Sequence, residues 1–236
     1  MENKLKNLKS NLLVLFFPKF CLGCGEEGRF VCSQCLKQIK NSELCCPFCG
    51  KVNFKGGFCK SHQKSFSFSK LLFVNSFEGL AKEIIHALKY EGLIDIAQIL
   101  GVKMAQILLA NITKKEKQEI VLIPVPLFFL KRFKRGFNQS ELLAKVINQK
   151  TNIPLRKVVF RVKNTKSQTQ LDVQKRKQNI ASSFILAPSL KKKDYQNKIL
   201  IIVDDVYTSG STLNEVAKIL KQLRPKAIWG LTFCKD

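Results

Sequence analysis

The densest chemistry in the chain lies where two acids meet a run of hydroxyls. Asp204 and Asp205 are followed by Val206, Tyr207, Thr208, Ser209, Gly210, Ser211 and Thr212. Two carboxylates at the end of an apolar run can grip ribose hydroxyls, directly or through a magnesium ion. A turn of small hydroxyl residues around a glycine exposes backbone amides. The helix that opens after it, at about Leu213, adds partial positive charge at its start, and together these groups cradle a monoester phosphate. A plain helix cap would need a single Ser or Thr. It would not need both acids, the glycine and so many hydroxyls in one short turn. The turn after Asp205 has neither the Gly-x4-Gly-Lys-Ser/Thr nor the Gly-x-Gly-x-x-Gly pattern, which excludes a Walker A loop and a dinucleotide turn there.

A second constellation sits near the start. Of nine cysteines, eight lie between Cys21 and Cys59. They come as close pairs, Cys21/Cys24, Cys32/Cys35 and Cys46/Cys49, followed by Cys59/His62. A two-residue gap lets both side chains of a tight turn face one tetrahedral ion, so the pairs predict structural zinc, at one or two sites, in a reducing compartment. Disulfides would be spread through the loops instead. Sequential pairing gives one four-thiolate site and one with three thiolates and an imidazole. An interleaved cross-brace satisfies the same spacing. Cys45 is a spectator, because the step to Cys49 requires Cys46. Full coordination leaves no open position for water, so these sites read as structural rather than catalytic.

A third cluster is basic. Lys131, Arg132, Lys134 and Arg135 precede Gly136, Phe137, Asn138 and Gln139. Read as a loop between a buried strand and a helix, this segment suits an anion at the carboxyl end of a sheet, and equally a solvated basic turn. Phe128, Phe129, Phe133 and Phe137 interleave with the cations. That is the pattern of single-stranded nucleic-acid binding, and also of ordinary core aromatics.

The elements that must position these groups follow from periodicity. Ser65–Leu72 reads as a half-buried strand and Leu80–Tyr90 as an amphipathic helix, with His86 structural or merely exposed. Leu93–Ile112 reads as a second helix and Thr113–Gln118 as a charged linker. Glu119–Val125 and Lys198–Val203 are continuous apolar runs, which suit strands covered on both faces. The first ends in Pro124-Val125-Pro126, and the second ends where the acids begin. Phe184–Leu186 predicts a short strand and Ala227–Phe233 a final one. Lys163–Asn179 is polar and cationic, fitting either a flap or a plain solvated loop. The chain thus divides into a zinc-binding module at 1–64 and an α/β domain at 65–236, with a mostly parallel sheet and flanking helices.

Composition sets the outer limits. The 236 residues carry 41 Lys+Arg against 17 Asp+Glu, a net charge of +24. This favours a polyanionic or phosphate-bearing partner. The general abundance of Lys, Asn, Ile and Phe is also what biased base composition produces. With 45% hydrophobic residues, a real core is expected. The apolar stretch Leu12–Phe20 is too short for a span and lacks a cleavage signature, so residues 1–17 are expected to form a short amphipathic helix.

These pieces in combination resemble the ComF competence proteins, whose C-terminal turn is similar to that of type I phosphoribosyltransferases. The resemblance rests on Cys21–His62, Pro124–Pro126, Arg135–Gln139, Lys163–Asn179 and Asp204–Thr212. His62 departs from it, standing where many relatives carry cysteine. The resemblance implies a phosphoribosyltransferase-like fold that binds 5-phosphoribosyl 1-pyrophosphate (PRPP) with magnesium. Asp204 and Asp205 would face the ribose, and Thr208–Thr212 would hold the 5-phosphate. Arg135, Gly136, Asn138 and Gln139 would lie near the pyrophosphate, with Lys131 and Arg132 as further helpers. Arg161, Lys163 and the loop to Asn179 could close over it. It also implies a cytoplasmic role with incoming single-stranded DNA, near a helicase and an inner-membrane channel. The alternatives are a true phosphoribosyltransferase of unassigned acceptor and a zinc-stabilised docking scaffold.

Overall fold

The computed structural model describes residues 18–39, 41–53, 55–163 and 183–236. The expected N-terminal helix at 1–17, and residues 164–179 of the expected flap, lie outside the described residues.

Among the described residues, the N-terminal part is irregular apart from two short helices, α1 (Ser33–Gln38) and α2 (Lys60–Gln63). After β1 (Lys70–Ser76) come α3 (Gly79–His86), a π-helical turn at Ala87–Glu91, and α4 (Asp95–Ala110). Then follow α5 (Lys114–Glu119), β2 (Ile120–Pro124), α6 (Phe129–Arg135) and α7 (Gln139–Thr151). The strands β3 (Val159–Arg161) and β4 (Phe184–Leu186) form a separate antiparallel pair. The chain ends with β5 (Ile199–Tyr207), α8 (Ser211–Leu220) and β6 (Ala227–Lys235).

Four strands make one parallel sheet in the order β1-β6-β5-β2. The central β5 is buried at every position except Val206, as its unbroken apolar run requires. Helices α4 and α7 pack on each other and on the sheet, while α8 packs on β5, β6 and the β3–β4 ribbon. Gly101 permits the close approach of α4 to α7: a Cβ there would lie 2.5 Å from Cβ of Val146. This α/β architecture with a parallel sheet and an N-terminal cysteine cluster is the one expected.

Several boundaries differ from the periodicity reading, each for a physical reason. The first strand begins at Lys70 rather than Ser65, because Phe66 and Phe68 turn into an aromatic cluster with Phe58 instead of joining the sheet. The charged linker after α4 is helical, closed by a capping box. Thr113 Oγ1 accepts from the Glu116 N–H at 3.1 Å, and Glu116 Oε2 accepts from the Thr113 N–H at 2.8 Å. The basic segment is the helix α6, not a loop, and Gly136 ends it with φ 80°. Strand β5 continues to Tyr207 because β6 keeps pairing with it as far as Lys235. Asp204 and Asp205 therefore sit inside the strand, and both are buried.

The aromatic cluster ties the cysteine module to the sheet. Phe48 lies 4.6 Å from His62 and 6.0 Å from Phe66 between ring centroids. Phe68, in contact with Phe58 and Phe66, meets Tyr207 at 6.4 Å. The Ser67 N–H also donates to Oδ1 of Asn214 in α8 at 2.7 Å.

Candidate functional site

The carboxyl ends of β2 and β5 open into a cavity of about 390 Å³. Such a crevice is where parallel sheets present ligand sites, since loops leave the strands there and helices begin. Its floor is the acid pair. Ser140 Oγ donates to Asp204 Oδ1 at 2.7 Å, and the Asp205 N–H donates to the same oxygen at 3.0 Å. The Lys89 ammonium pairs with Asp205 Oδ2. Burial pushes the Asp204 carboxyl above the ordinary range, and neighbouring Asp205 adds to the shift. Burial opposes ionisation of Asp205 as well, yet the Lys89 ammonium holds it below the ordinary range. One acid is thus biased toward the neutral form and the other toward the charged one.

One wall is the turn after β5. Thr208, Gly210, Ser211 and Thr212 line the cavity, as do Val206 and Tyr207. Gly210 has φ 72°, and a Cβ there would lie 2.6 Å from Oη of Tyr207. Only glycine fits that conformation against that ring. Ser211 and Thr212 begin α8, so their end of the cavity carries the helix's exposed N–H groups. Ser209 is not on the cavity wall; its hydroxyl meets that of Ser211 at 2.9 Å.

The opposite wall is cationic. Lys131 and Arg135 reach it from α6, Arg161 from β3, and Asn138 and Gln139 from the start of α7. Asn138 caps α7: its Oδ1 accepts from the Ser140 N–H at 3.1 Å, and its Nδ2 donates to the Val125 carbonyl at 3.0 Å. Arg135 Nη1 donates to Gln139 Oε1 at 2.7 Å. Arg132 faces away, 4.0 Å from the buried Glu141, which also pairs with Lys145 and Lys157. Gly136 terminates α6, and Lys163 is exposed; neither lines the cavity.

Sequence reasoning passed over Lys89, Tyr90 and Ser140, all of which line the cavity. Ser140 was legible in part, since hydroxyls cluster at helix starts. The cap is Asn138, which frees the serine for Asp204.

The cysteines gather into two groups. In each of Cys21/Cys24/Cys32/Cys35 and Cys46/Cys49/Cys59/His62, the donor atoms lie within 4.8 Å of one another, so each could hold a metal ion. Cys24 and Cys32 sulfurs are 3.7 Å apart, Cys49 and Cys59 sulfurs 3.8 Å, and Cys46 sulfur is 3.7 Å from His62 Nδ1. Backbone amides face the first thiol of each group: the Cys32 N–H donates to Cys21 Sγ at 3.3 Å and the Cys59 N–H to Cys46 Sγ at 3.5 Å. Burial works against ionisation there, but the amide contacts outweigh it and bring Cys21 and Cys46 down to about 6. Cys45 and Cys234 are buried and belong to neither group; burial pushes the Cys234 thiol up to about 12.

A parallel sheet whose carboxyl edge presents paired acids, a glycine-hydroxyl turn and a cationic wall defines a phosphoribosyltransferase-type domain. The family described as "Phosphoribosyl transferase domain" matches residues 78–236. Over 234 residues the chain is 32% identical to Competence protein F of Haemophilus influenzae, covering 92% of this chain and 97% of that protein. It is 28% identical to DNA utilization protein YhgH of Escherichia coli, covering 94% and 99%. Competence protein ComFC of Bacillus subtilis is 25% identical, covering 80% and 77%. A solved purine phosphoribosyltransferase from Pyrococcus horikoshii is 18% identical, covering 58% of this chain and 84% of its own, with a TM-score of 0.29. The chain belongs to the ComF family of phosphoribosyltransferase-domain proteins.

Proposed function

We propose that this protein binds PRPP in the cavity and assists the handling of incoming single-stranded DNA on the cytoplasmic side of the inner membrane. The observation that carries the ligand is the buried acid pair facing the Thr208–Thr212 turn. In this reading Asp204 and Asp205 meet the ribose hydroxyls, and the Thr208–Thr212 turn takes the 5-phosphate. Lys131, Arg135, Asn138, Gln139 and Arg161 lie on the pyrophosphate side; Arg132 and Lys163 lie off the cavity wall and drop out of the ligand set, and Gly136 serves by closing α6. Magnesium fits as an ion carried by the pyrophosphate, which it would neutralise. The acids by themselves make a poor cage, because Lys89 and Ser140 already engage them.

Zinc fits both cysteine groups. Zn–S bonds of about 2.3 Å place tetrahedral ligands roughly 3.8 Å apart, which the measured separations match. The module at 1–64 would then fold around its metals and the domain at 65–236 around its sheet.

DNA handling is supported by the relatives named for competence and DNA utilization, by the charge of +24, and by α6. Phe129 and Phe133 are 64% and 87% exposed on that helix, one turn apart among its cations, whereas Phe128 and Phe137 are buried. Exposed rings among cations suit stacked bases and a phosphate backbone. A helicase and the inner-membrane DNA channel are the partners this role calls for; no helix among the described residues is long and apolar enough to cross a membrane itself.

Retention of both acids also favours a second reading, a working phosphoribosyltransferase. The C1–O bond of PRPP would break as an acceptor nucleophile bonds to C1, pyrophosphate would leave, and placement and electrostatics would supply the rate.

Calorimetry with PRPP and magnesium on the metal-loaded protein is the test, beside an Asp204→Ala/Asp205→Ala variant. Binding that the variant loses supports the reading. Failure of the intact protein to bind PRPP overturns it and leaves DNA or partner-protein binding on a reused scaffold.

A further inference from the structure

Lys89 has no counterpart among the groups assigned above. It lies in the π-helical turn Ala87–Glu91, which continues α3 and closes at Gly92 with φ 70°. π-helical turns are rare, and this one closes the helix rather than interrupting it. It delivers Lys89 and Tyr90 to the cavity wall. The lysine side chain is 22% exposed and its partner Asp205 only 4%. Removing two charges from water is costly unless they pair and their remaining polar atoms are satisfied. The acid pair draws its partners from its own chain: a hydroxyl from Ser140 for Asp204 and an ammonium from Lys89 for Asp205, whose Oδ2 has that ion pair and no hydrogen bond besides.

This arrangement has a consequence for the order in which charges enter. An ionised acid pair without a cation would repel a phosphate-bearing ligand, and a divalent ion would have to arrive first or together with it. A divalent ion held by both acids would have to displace Lys89. Magnesium more readily takes its oxygens from ligand phosphates and water.

We infer that Lys89 is a built-in counter-cation that positions Asp205 for the ribose hydroxyls, so that a ribose 5-phosphate group is received without any divalent ion. Magnesium is then needed only for the pyrophosphate of a larger ligand. The inference rests on the reading that the cavity takes a ribose 5-phosphate group.

The test is calorimetric titration of ribose 5-phosphate and of PRPP into the metal-loaded wild type, Lys89→Met and Lys89→Arg. Each is measured in magnesium-free buffer and again with magnesium, without chelator, so that the cysteine clusters keep their metal. The wild-type affinity for ribose 5-phosphate is expected to change by less than about 3-fold between buffers, whereas PRPP gains at least about 10-fold from magnesium. Lys89→Met should bind ribose 5-phosphate at least about 30-fold more weakly without magnesium, as loss of one partner of a buried charge pair predicts. Magnesium should restore much of that loss, and Lys89→Arg should stay near wild type. A packing role alone would weaken Lys89→Met equally in both buffers, and that result overturns the inference. So does a wild type, or a Lys89→Arg protein, that needs magnesium to bind ribose 5-phosphate; these two arms decide the matter if Lys89→Met fails to fold. A wild type that binds neither ligand in either buffer defeats the ligand reading itself, and the inference with it. A wild type that binds both while Lys89→Met matches it defeats the inference alone.

Discussion

Two regions of the molecule concentrate anionic groups and neutralise them by opposite means. In the cysteine module, eight donors converge in two sets, each of which could hold a metal ion that would supply the balancing charge. At the carboxyl edge of the sheet, Asp204 and Asp205 are neighbours in β5, and the balancing charge is Lys89 of the same chain. The amides facing Cys21 and Cys46 prepare thiolates for an ion, whereas the ammonium facing Asp205 already completes its pair. With zinc in both groups, the cavity would assemble with the chain and the module with its metal.

Metal removal is the most severe trial of that contrast. Structural zinc contributes on the order of 10 kcal/mol to the folding of small modules. A strong chelator should therefore open residues 18–63 to protease. The sheet should keep its thermal transition, and PRPP should still bind within about 5-fold, the margin left for the aromatic contacts between module and turn. Simultaneous loss of ligand binding would break the comparison, because the cavity would then depend on the metal too.

Next in size is the internal ion pair. Asp205→Asn leaves the Lys89 ammonium without its carboxylate and should cost about 3 kcal/mol in denaturant unfolding. Lys89→Met added to it should recover most of the loss. No recovery would mean that the pair contributes shape rather than charge balance. Gly210→Ala comes third. Its φ of 72° and the 2.6 Å approach to Tyr207 should cost about 1–2 kcal/mol of stability and lower PRPP affinity. The smallest effect on folding belongs to Phe133→Ala, which should leave stability within about 0.5 kcal/mol. Yet single-stranded DNA affinity should fall several-fold, since a stacked base is worth about 1–3 kcal/mol. Unchanged DNA affinity would remove α6 from the nucleic-acid surface.

The sequence disclosed groups whose meaning is local. The cysteine spacing is set by tight turns, and the donors converge in chain order. The apolar runs at Ile120–Ile123 and Ile199–Val203 became the paired strands β2 and β5, because a buried parallel strand needs little beyond continuous apolar side chains. What escaped notice depends on distant partners. Nothing near Lys89 in the chain distinguishes a lysine facing water from one facing a carboxylate in β5. Phe66 and Phe68 look like strand residues until Phe58 and Tyr207 are in place to draw them elsewhere. The basic segment looked like a loop because its cations outnumber its apolar residues. It is helical because Gly136 closes it and two of its Phe residues need not be buried.

The π-turn carries a historical implication. A π-turn is an α-helical turn widened to take one additional residue. In an α-helix each residue advances about 100° around the axis. Shortening Ala87–Glu91 by a single codon would narrow it to an ordinary α-helical turn, and the lysine and tyrosine within it could not both keep their places on the wall. Point substitutions at the exposed positions Lys82, Glu83 and His86 would be forgiven far more readily than this one deletion. The register of a single helix, and not only the identity of its residues, is thus heritable information about the site.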